Sequence, residues 1–302
     1  MEFRVPALRQ TRLWIQILLL LLTFCTTTFA GALMQYNFSH NLPFFDFDHL
    51  FRQLDIGFAT PSRLLAGVPF SLTLLTILMA HEMGHYLACV YYGVDATLPY
   101  FLPSPMPVTG TFGAFIKIRS PIYSKRVLFD IGIAGPLAGF IFLIPALGVG
   151  LAFSKVLPGI NHQGSLQMGV PALEWLVQRA VFPGVPASDI YLHPVARAAW
   201  VGMFATALNL LPVGQLDGGH VVQALFGARQ KWFTNAFLVL MLPLGILWPG
   251  WWFWGAVLFL FARKHPPLED YSDIGNARRQ VAAAAFVILV LCFTVVPMQE
   301  FG

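Results

Sequence analysis

Charged residues are scarce in this chain. Asp, Glu, Lys and Arg make up 11% of its 302 residues, against about 25% in soluble domains. With 57% hydrophobic residues and a mean hydropathy of +0.68, that scarcity excludes an ordinary soluble domain and leaves a membrane protein. Cysteine is nearly absent too. Cys25, Cys89 and Cys292 all fall in apolar stretches without metal-ligand spacing. They read as small buried hydrophobes, which excludes a disulfide framework and a thiolate zinc site. The formal charge is +4, but the basic residues form no stripe or run, so no nucleic-acid partner is expected.

What the chain does have is a series of apolar stretches long enough to cross about 30 Å of hydrocarbon. They cover roughly Leu13–Leu33, Gly67–Gly93, Val127–Phe153, Pro194–Leu225, Phe233–Ala262 and Val281–Pro297. The fifth is broken by Leu247-Trp248-Pro249-Gly250-Trp251 and reads as one long tilted helix or a hairpin of two short ones. Charge favours the hairpin. With the N-terminus inside and a turn at Pro249-Gly250, the inner side receives Arg4, Arg9, Arg12, Lys117, Arg119, Lys125, Arg126, Arg229, Lys231, Arg263, Lys264, Arg278 and Arg279. Only Arg52, Arg63, Lys155, Arg179 and Arg197 stay outside, as the positive-inside rule requires.

The expected fold is therefore an all-α polytopic membrane protein with about six to seven transmembrane helices and a small membrane-associated β element. Residues 1–66 would hold the first helix and an outer loop, 67–225 the core, and 226–302 the C-terminal helices. The first helix also resembles a secretory signal ending at Thr28-Phe29-Ala30, but its apolar stretch is long for a signal core, which favours a retained helix. Outer segments are expected at 34–66, with Asp46, Asp48 and Asp55, and at 154–193, with a short helix near Pro171–Phe182. The β element lies in the inner segment 94–126. Pro103, Pro105 and Pro107 keep it from being helical, and Gly110 to Ile118 reads as an extended, partly apolar strand.

His81-Glu82-Met83-Gly84-His85 lies inside the second apolar stretch. A charged residue at the centre of a bilayer costs at least roughly 2.5–3.5 kcal/mol, so groups of this kind stay there when they do chemistry or bind something. Histidines at i and i+4 stand on one helix face and can share a zinc ion, and the adjacent Glu82 can accept a proton from a water that the ion activates. Such a site needs three protein ligands and an open position. The next glutamate, Glu174, lies on the outer side, and the position where a metzincin carries glycine is Ala88. Both soluble zincin classes are disfavoured. Of the acidic candidates near a span, Asp95 and Asp130 fit surface charges. Asp217, in Asn209-Leu210-Leu211-Pro212-Val213-Gly214-Gln215-Leu216-Asp217-Gly218, falls at the same inner depth as the histidines. Two neutral imidazoles, two carboxylates and one zinc ion sum to zero charge, which lowers the burial penalty.

The H-E-x-x-H motif followed by N-x-x-P-x-x-x-L-D-G resembles the site-2 protease family of intramembrane zinc metalloproteases. The Gly113-to-Ile118 strand and Gly135-Pro136-Leu137-Ala138-Gly139 are similar to that family as well, and the likeness covers about residues 67–225. The resemblance implies one zinc ion per chain on His81, His85 and Asp217, with Glu82 as catalytic base and transmembrane proteins as substrates. It places the site below the inner surface, in a core like that of the short members without a PDZ domain. Asn209 would contact the oxyanion or substrate backbone, or merely join two helices. Gly113, Phe115, Ile116 and Ile118 would line a substrate-binding strand. Gly135-x-x-x-Gly139 and the Trp248–Trp254 cluster read as helix packing and an interfacial aromatic belt, and His193 and His220 as structural. The expected location is a bacterial inner membrane, with the N-terminus and the site's opening on the cytoplasmic side, lipid as a neighbour and self-association left open. A catalytically silent scaffold and a metal-ion transporter are the alternatives.

Overall fold

Residues 13–45, 61–160, 166–261, 270 and 272–300 are described by the computed structural model. The acidic loop residues Asp46, Asp48 and Asp55, and Arg4, Arg9, Arg12, Arg52, Arg263 and Lys264, lie outside the described residues.

Long apolar stretches set the three longest helices, and the third carries Pro136 and Pro145 within it. α1 spans Leu13–Ser39, α2 Val68–Tyr91 and α3 Lys125–Ala152. α1 runs six residues past the expected end at Leu33, because its polar C-terminal turns are buried by the fold at Asn37 and Phe38. The segment 154–193 holds the expected short helix, α4 (Ala172–Val181). The expected fourth stretch is not continuous. α5 (Pro194–Leu210) stops, the chain turns through Leu211–Leu216, and α6 (Asp217–Phe226) begins anew. Pro212 and Gly214, which takes a positive φ of 47°, force that break. The fifth stretch is two helices, α7 (Gln230–Leu247) and α8 (Gly250–Phe261), which pack on each other across Trp248-Pro249. α9 (Asn276–Cys292) completes the set. Among the described residues, four helical stretches are long and apolar enough to cross a membrane: Leu13–Ser39, Ser62–Tyr91, Lys125–Ala152 and Asp217–Leu247.

The fold is mostly helical, with three two-stranded antiparallel sheets among the described residues. β1 (Tyr100–Pro103) pairs with β2 (Thr111–Phe115) as a hairpin at the inner segment. β3 (Lys155–Val156) pairs with β5 (Ile190–Tyr191), and β4 (Leu166–Met168) with β6 (Met298–Glu300). The hairpin rests on α1: Gln16 Nε2 donates to the Leu98 carbonyl at 2.8 Å and Thr26 Oγ1 to the Gly110 carbonyl at 2.6 Å. α1 is joined to α2 in turn through Thr27 Oγ1 and Ser71 Oγ, 2.5 Å apart.

The core gathers at α2, α3 and α5, where Phe70, Leu74, Phe129, Leu143, Trp200 and Met203 are fully buried. Two expectations fail here. The tryptophan cluster is not a uniform belt, since Trp251 is fully buried, donates to the Val295 carbonyl at 2.6 Å and stacks on Phe293. Cys25 is exposed, whereas Cys89 and Cys292 are buried. It faces outward from an apolar helix, where a small hydrophobe meets no penalty if the surroundings are lipid.

Candidate metal centre

α2 positions the first two donors. Pro69 opens the helix, no further proline interrupts it, and His81 and His85 stand one turn apart on its buried face. His81, Glu82 and His85 are each no more than 7% exposed. The third donor comes from the break that interrupts the fourth apolar stretch. Asp217 is the first residue of α6, where the helix dipole favours a carboxylate. The turn before it is held from α7: Thr234 Oγ1 donates to the Pro212 carbonyl at 3.2 Å, and Gln230 Nε2 to the Gly214 carbonyl at 3.4 Å. Gly218 is required beside it, because a Cβ there would lie 2.0 Å from the Leu210 carbonyl oxygen.

The three donors converge. His81 Nε2 is 3.1 Å from Asp217 Oδ2, His85 Nε2 is 3.2 Å from the same oxygen, and the two Nε2 atoms are 3.2 Å apart. Ligands about 2.0–2.1 Å from a tetrahedral zinc stand roughly 3.3–3.4 Å from each other, so this triangle fits one face of such a site. Its chemistry fits as well. His85 Nδ1 is 2.7 Å from the Ile131 carbonyl and must donate its proton there, which leaves Nε2 with a free lone pair. Among the described residues, these three side chains form the group able to hold a metal ion.

The other candidate residues lie around the triangle. Glu82 is next to the first donor in sequence, is buried like it, and takes no corner of the triangle. Asn209 Nδ2 stands 3.2 Å from His81 Nε2, so the amide lies at the donors and joins α5 to α2. Gly113 and Phe115 sit in β2, Ile116 just past it, and Ile118 in an isolated bridge with Ala96. β2 is shorter than the expected strand, and among the described residues no second strand pairs with its other edge.

The glycines of α3 do more than let helices pack. A Cβ at Gly135 would fall 2.1 Å from His85 Nε2, and one at Gly139 would fall 3.2 Å from His81 Cβ. Their absent side chains make room for the imidazoles. The other polar candidates lie elsewhere. Asp95 is 4.0 Å from Arg119, Asp130 pairs with Arg278, and His193 caps α5 by accepting the Val195 N–H at 3.2 Å.

These features define a class: a mostly helical, apolar protein that buries a His-His-Asp donor triangle beside a glutamate. The profile of Peptidase family M50 matches residues 69–247, and the chain belongs to that family. It is 34% identical to "Probable zinc metalloprotease EGY1, chloroplastic" of Oryza sativa subsp. japonica over 78% of this chain and 41% of that protein. With the Arabidopsis thaliana protein of the same name the identity is 32%, over 78% of this chain and 44% of the other. "Probable zinc metalloprotease EGY2, chloroplastic" of Arabidopsis thaliana is 29% identical over 68% of this chain and 37% of its own length. The chain thus spans about two fifths of these relatives.

Proposed function

We propose that this chain is an intramembrane zinc metalloprotease that hydrolyses peptide bonds within or near transmembrane segments of membrane proteins. The observation that carries the reading is the His81, His85 and Asp217 triangle with Glu82 beside it. Membership of a peptidase family supports it, as do the zinc metalloprotease names of the relatives. A transporter or a silent scaffold would have no need of a general base next to the donors.

Zinc held by the three side chains would lower the pKa of a water to about 7 and polarise the scissile carbonyl. Glu82 accepts the proton as the water oxygen adds to the carbonyl carbon, and returns it to the amine nitrogen as the C–N bond breaks. The Asn209 amide donates to the developing oxyanion or to the substrate backbone. A substrate helix presents carbonyls that are already hydrogen-bonded, so it must unwind, and the unpaired edge of β2 is suited to capture the unwound segment by strand addition.

Residues 67–225 would form the catalytic core, preceded by a retained first helix with its outer loop and followed by the C-terminal helices. Six to seven crossings with the N-terminus inside agree with the distribution of basic residues, α7 and α8 forming a short hairpin. The site would open on the inner, cytoplasmic side of an inner membrane, bacterial or organellar. Transmembrane proteins would be its substrates and lipid its surroundings.

Zinc per chain, measured in detergent-purified wild type beside Asp217→Asn, tests the reading without a known substrate. Near-stoichiometric zinc that falls sharply in the variant is expected. Zinc absent from wild type after reloading would sink the metalloprotease reading. Zinc unchanged by the substitution would remove Asp217 as the third ligand.

A further inference from the structure

Beyond the family-matched residues 69–247, α9 is fastened to the core at both ends. At the outer end β6 pairs with β4, and Gly169 N–H donates to the Pro297 carbonyl at 2.9 Å. At the inner end one guanidinium carries the contact. Arg278 Nε donates to Asp130 Oδ1 at 2.8 Å and Nη2 to Asp130 Oδ2 at 2.6 Å, the bidentate fork that arginine makes with a carboxylate. Tyr92, which follows the last residue of α2, donates its hydroxyl to the same Oδ2. One carboxylate thus joins the end of the histidine-bearing helix, the second turn of α3 and the start of α9.

The position of that carboxylate gives the cluster its meaning. Asp130 immediately precedes Ile131, whose carbonyl takes the Nδ1 proton of His85. Pro136, five residues on, cannot donate to the Gly132 carbonyl, so this stretch of α3 lacks a helix bond where the His85 contact must be held still. The preceding turn is pinned from the same side: Asp270 Oδ2 accepts the Lys125 N–H at 2.8 Å, and Arg126 donates to the Asp273 carbonyl at 2.8 and 3.0 Å.

We propose that Arg278 is a positioning residue for the metal centre: by holding Asp130 it fixes the Ile131 carbonyl, and through it the direction in which His85 Nε2 points. This rests on the metal-site reading above. Outer partners of metal-bound histidines typically change metal affinity by about ten- to a hundred-fold when removed, and Arg278 acts one link further out.

The test is cobalt titration of the full chain in detergent, reading both affinity and the visible d–d absorption bands. Wild type is compared with Arg278→Lys, Tyr92→Phe and Arg279→Ala. Lysine keeps the charge but loses the fork, so Arg278→Lys is expected to weaken cobalt about tenfold and to shift the bands. Tyr92→Phe should move both readouts the same way by less. Arg279, whose guanidinium pairs with the exposed Asp273 at 2.7 Å, should leave both unchanged when replaced. Wild-type affinity and bands in Arg278→Lys would overturn the inference and leave a purely structural latch. If that variant fails to fold, wild-type affinity and bands in Tyr92→Phe would overturn it equally. Wild type that binds no cobalt would instead refute the metal site itself.

Discussion

Two clusters in this molecule bury charge, and they handle it in opposite ways. Between α4 and α5 Arg197 and Glu174 are buried at 4% and 1% exposure, deeper than His81, Glu82 and His85. Arg197 spreads its guanidinium over separate partners: the Leu192 carbonyl at 3.2 Å, Met168 Sδ at 3.4 Å, and the Phe44 and Tyr191 rings at 3.9 and 5.3 Å. Glu174 Oε1 takes the Gln178 amide at 2.7 Å. Each group turns to separate partners, and among the described residues they offer no common point for an ion. At the other cluster His81, His85 and Asp217 face a single centre. Burial of charge therefore does not mark a site in this fold. Convergence does.

Glu82→Gln against Glu174→Gln sharpens the contrast most. Loss of a general base costs typically 10²–10⁴-fold, so cleavage of a transmembrane substrate should fall by about 10³-fold in Glu82→Gln. Zinc content should stay at the wild-type level, because Glu82 is not one of the three donors. Glu174→Gln, equally isosteric and more deeply buried, should leave both zinc and cleavage unchanged. Loss of zinc in Glu82→Gln would make that carboxylate a ligand and break the assignment of roles.

Gly135→Ala comes next. A methyl group 2.1 Å from His85 Nε2 cannot be accommodated without moving the ring, so zinc affinity should fall by about a hundredfold or more, at the upper end of supporting-residue effects. Metal titration checks it, and Gly148→Ala in the same helix, which meets nothing within 4 Å, is the control. A smaller effect is expected from Ile116→Pro, which removes one backbone donor just past β2, at the exit of the hairpin. Cleavage should drop about tenfold, equivalent to losing one backbone hydrogen bond to substrate of roughly 1.4 kcal/mol, with zinc content intact. Wild-type cleavage by this variant would end the strand-capture idea.

The donors were legible in the sequence because their geometry is local or forced. Residues i and i+4 of one helix must share a face, and Asp217 is the acidic residue whose depth matches theirs. Contacts between helices were not legible. Nothing in Gly135-x-x-x-Gly139 says that its grooves receive imidazoles and not a neighbour's backbone, since that depends on how α2 and α3 are rotated about their axes. The break at Leu211–Leu216 carried its signals in Pro212 and Gly214, but the apolar composition on either side concealed them. Arg278 looked like one more inner-side positive charge, because its partner Asp130 is 148 residues away.

The smallest effect tests the Arg197 and Glu174 cluster by itself. Burial pushes the Glu174 carboxyl up to about 8, against the opposing influences of Arg197 and the Gln178 hydrogen bond, and its Oε2 has no hydrogen-bond partner among the described residues. The folded pKa thus lies above the unfolded value of 4.5, so folding takes up a proton in the interval between them. The stabilisation is fully present below pH 4.5, declines as pH rises, and is lost once pH passes about 8. Tm in detergent should therefore fall from pH 5 to pH 8 in wild type, and this contribution to the slope should vanish in Glu174→Gln, which carries no titrating proton. An identical slope in the two proteins would mean that Glu174 is ionised in the fold. Glu174 and Arg197 would then be a true buried ion pair, and the contrast between a dispersed and a convergent arrangement of charge would have to be redrawn.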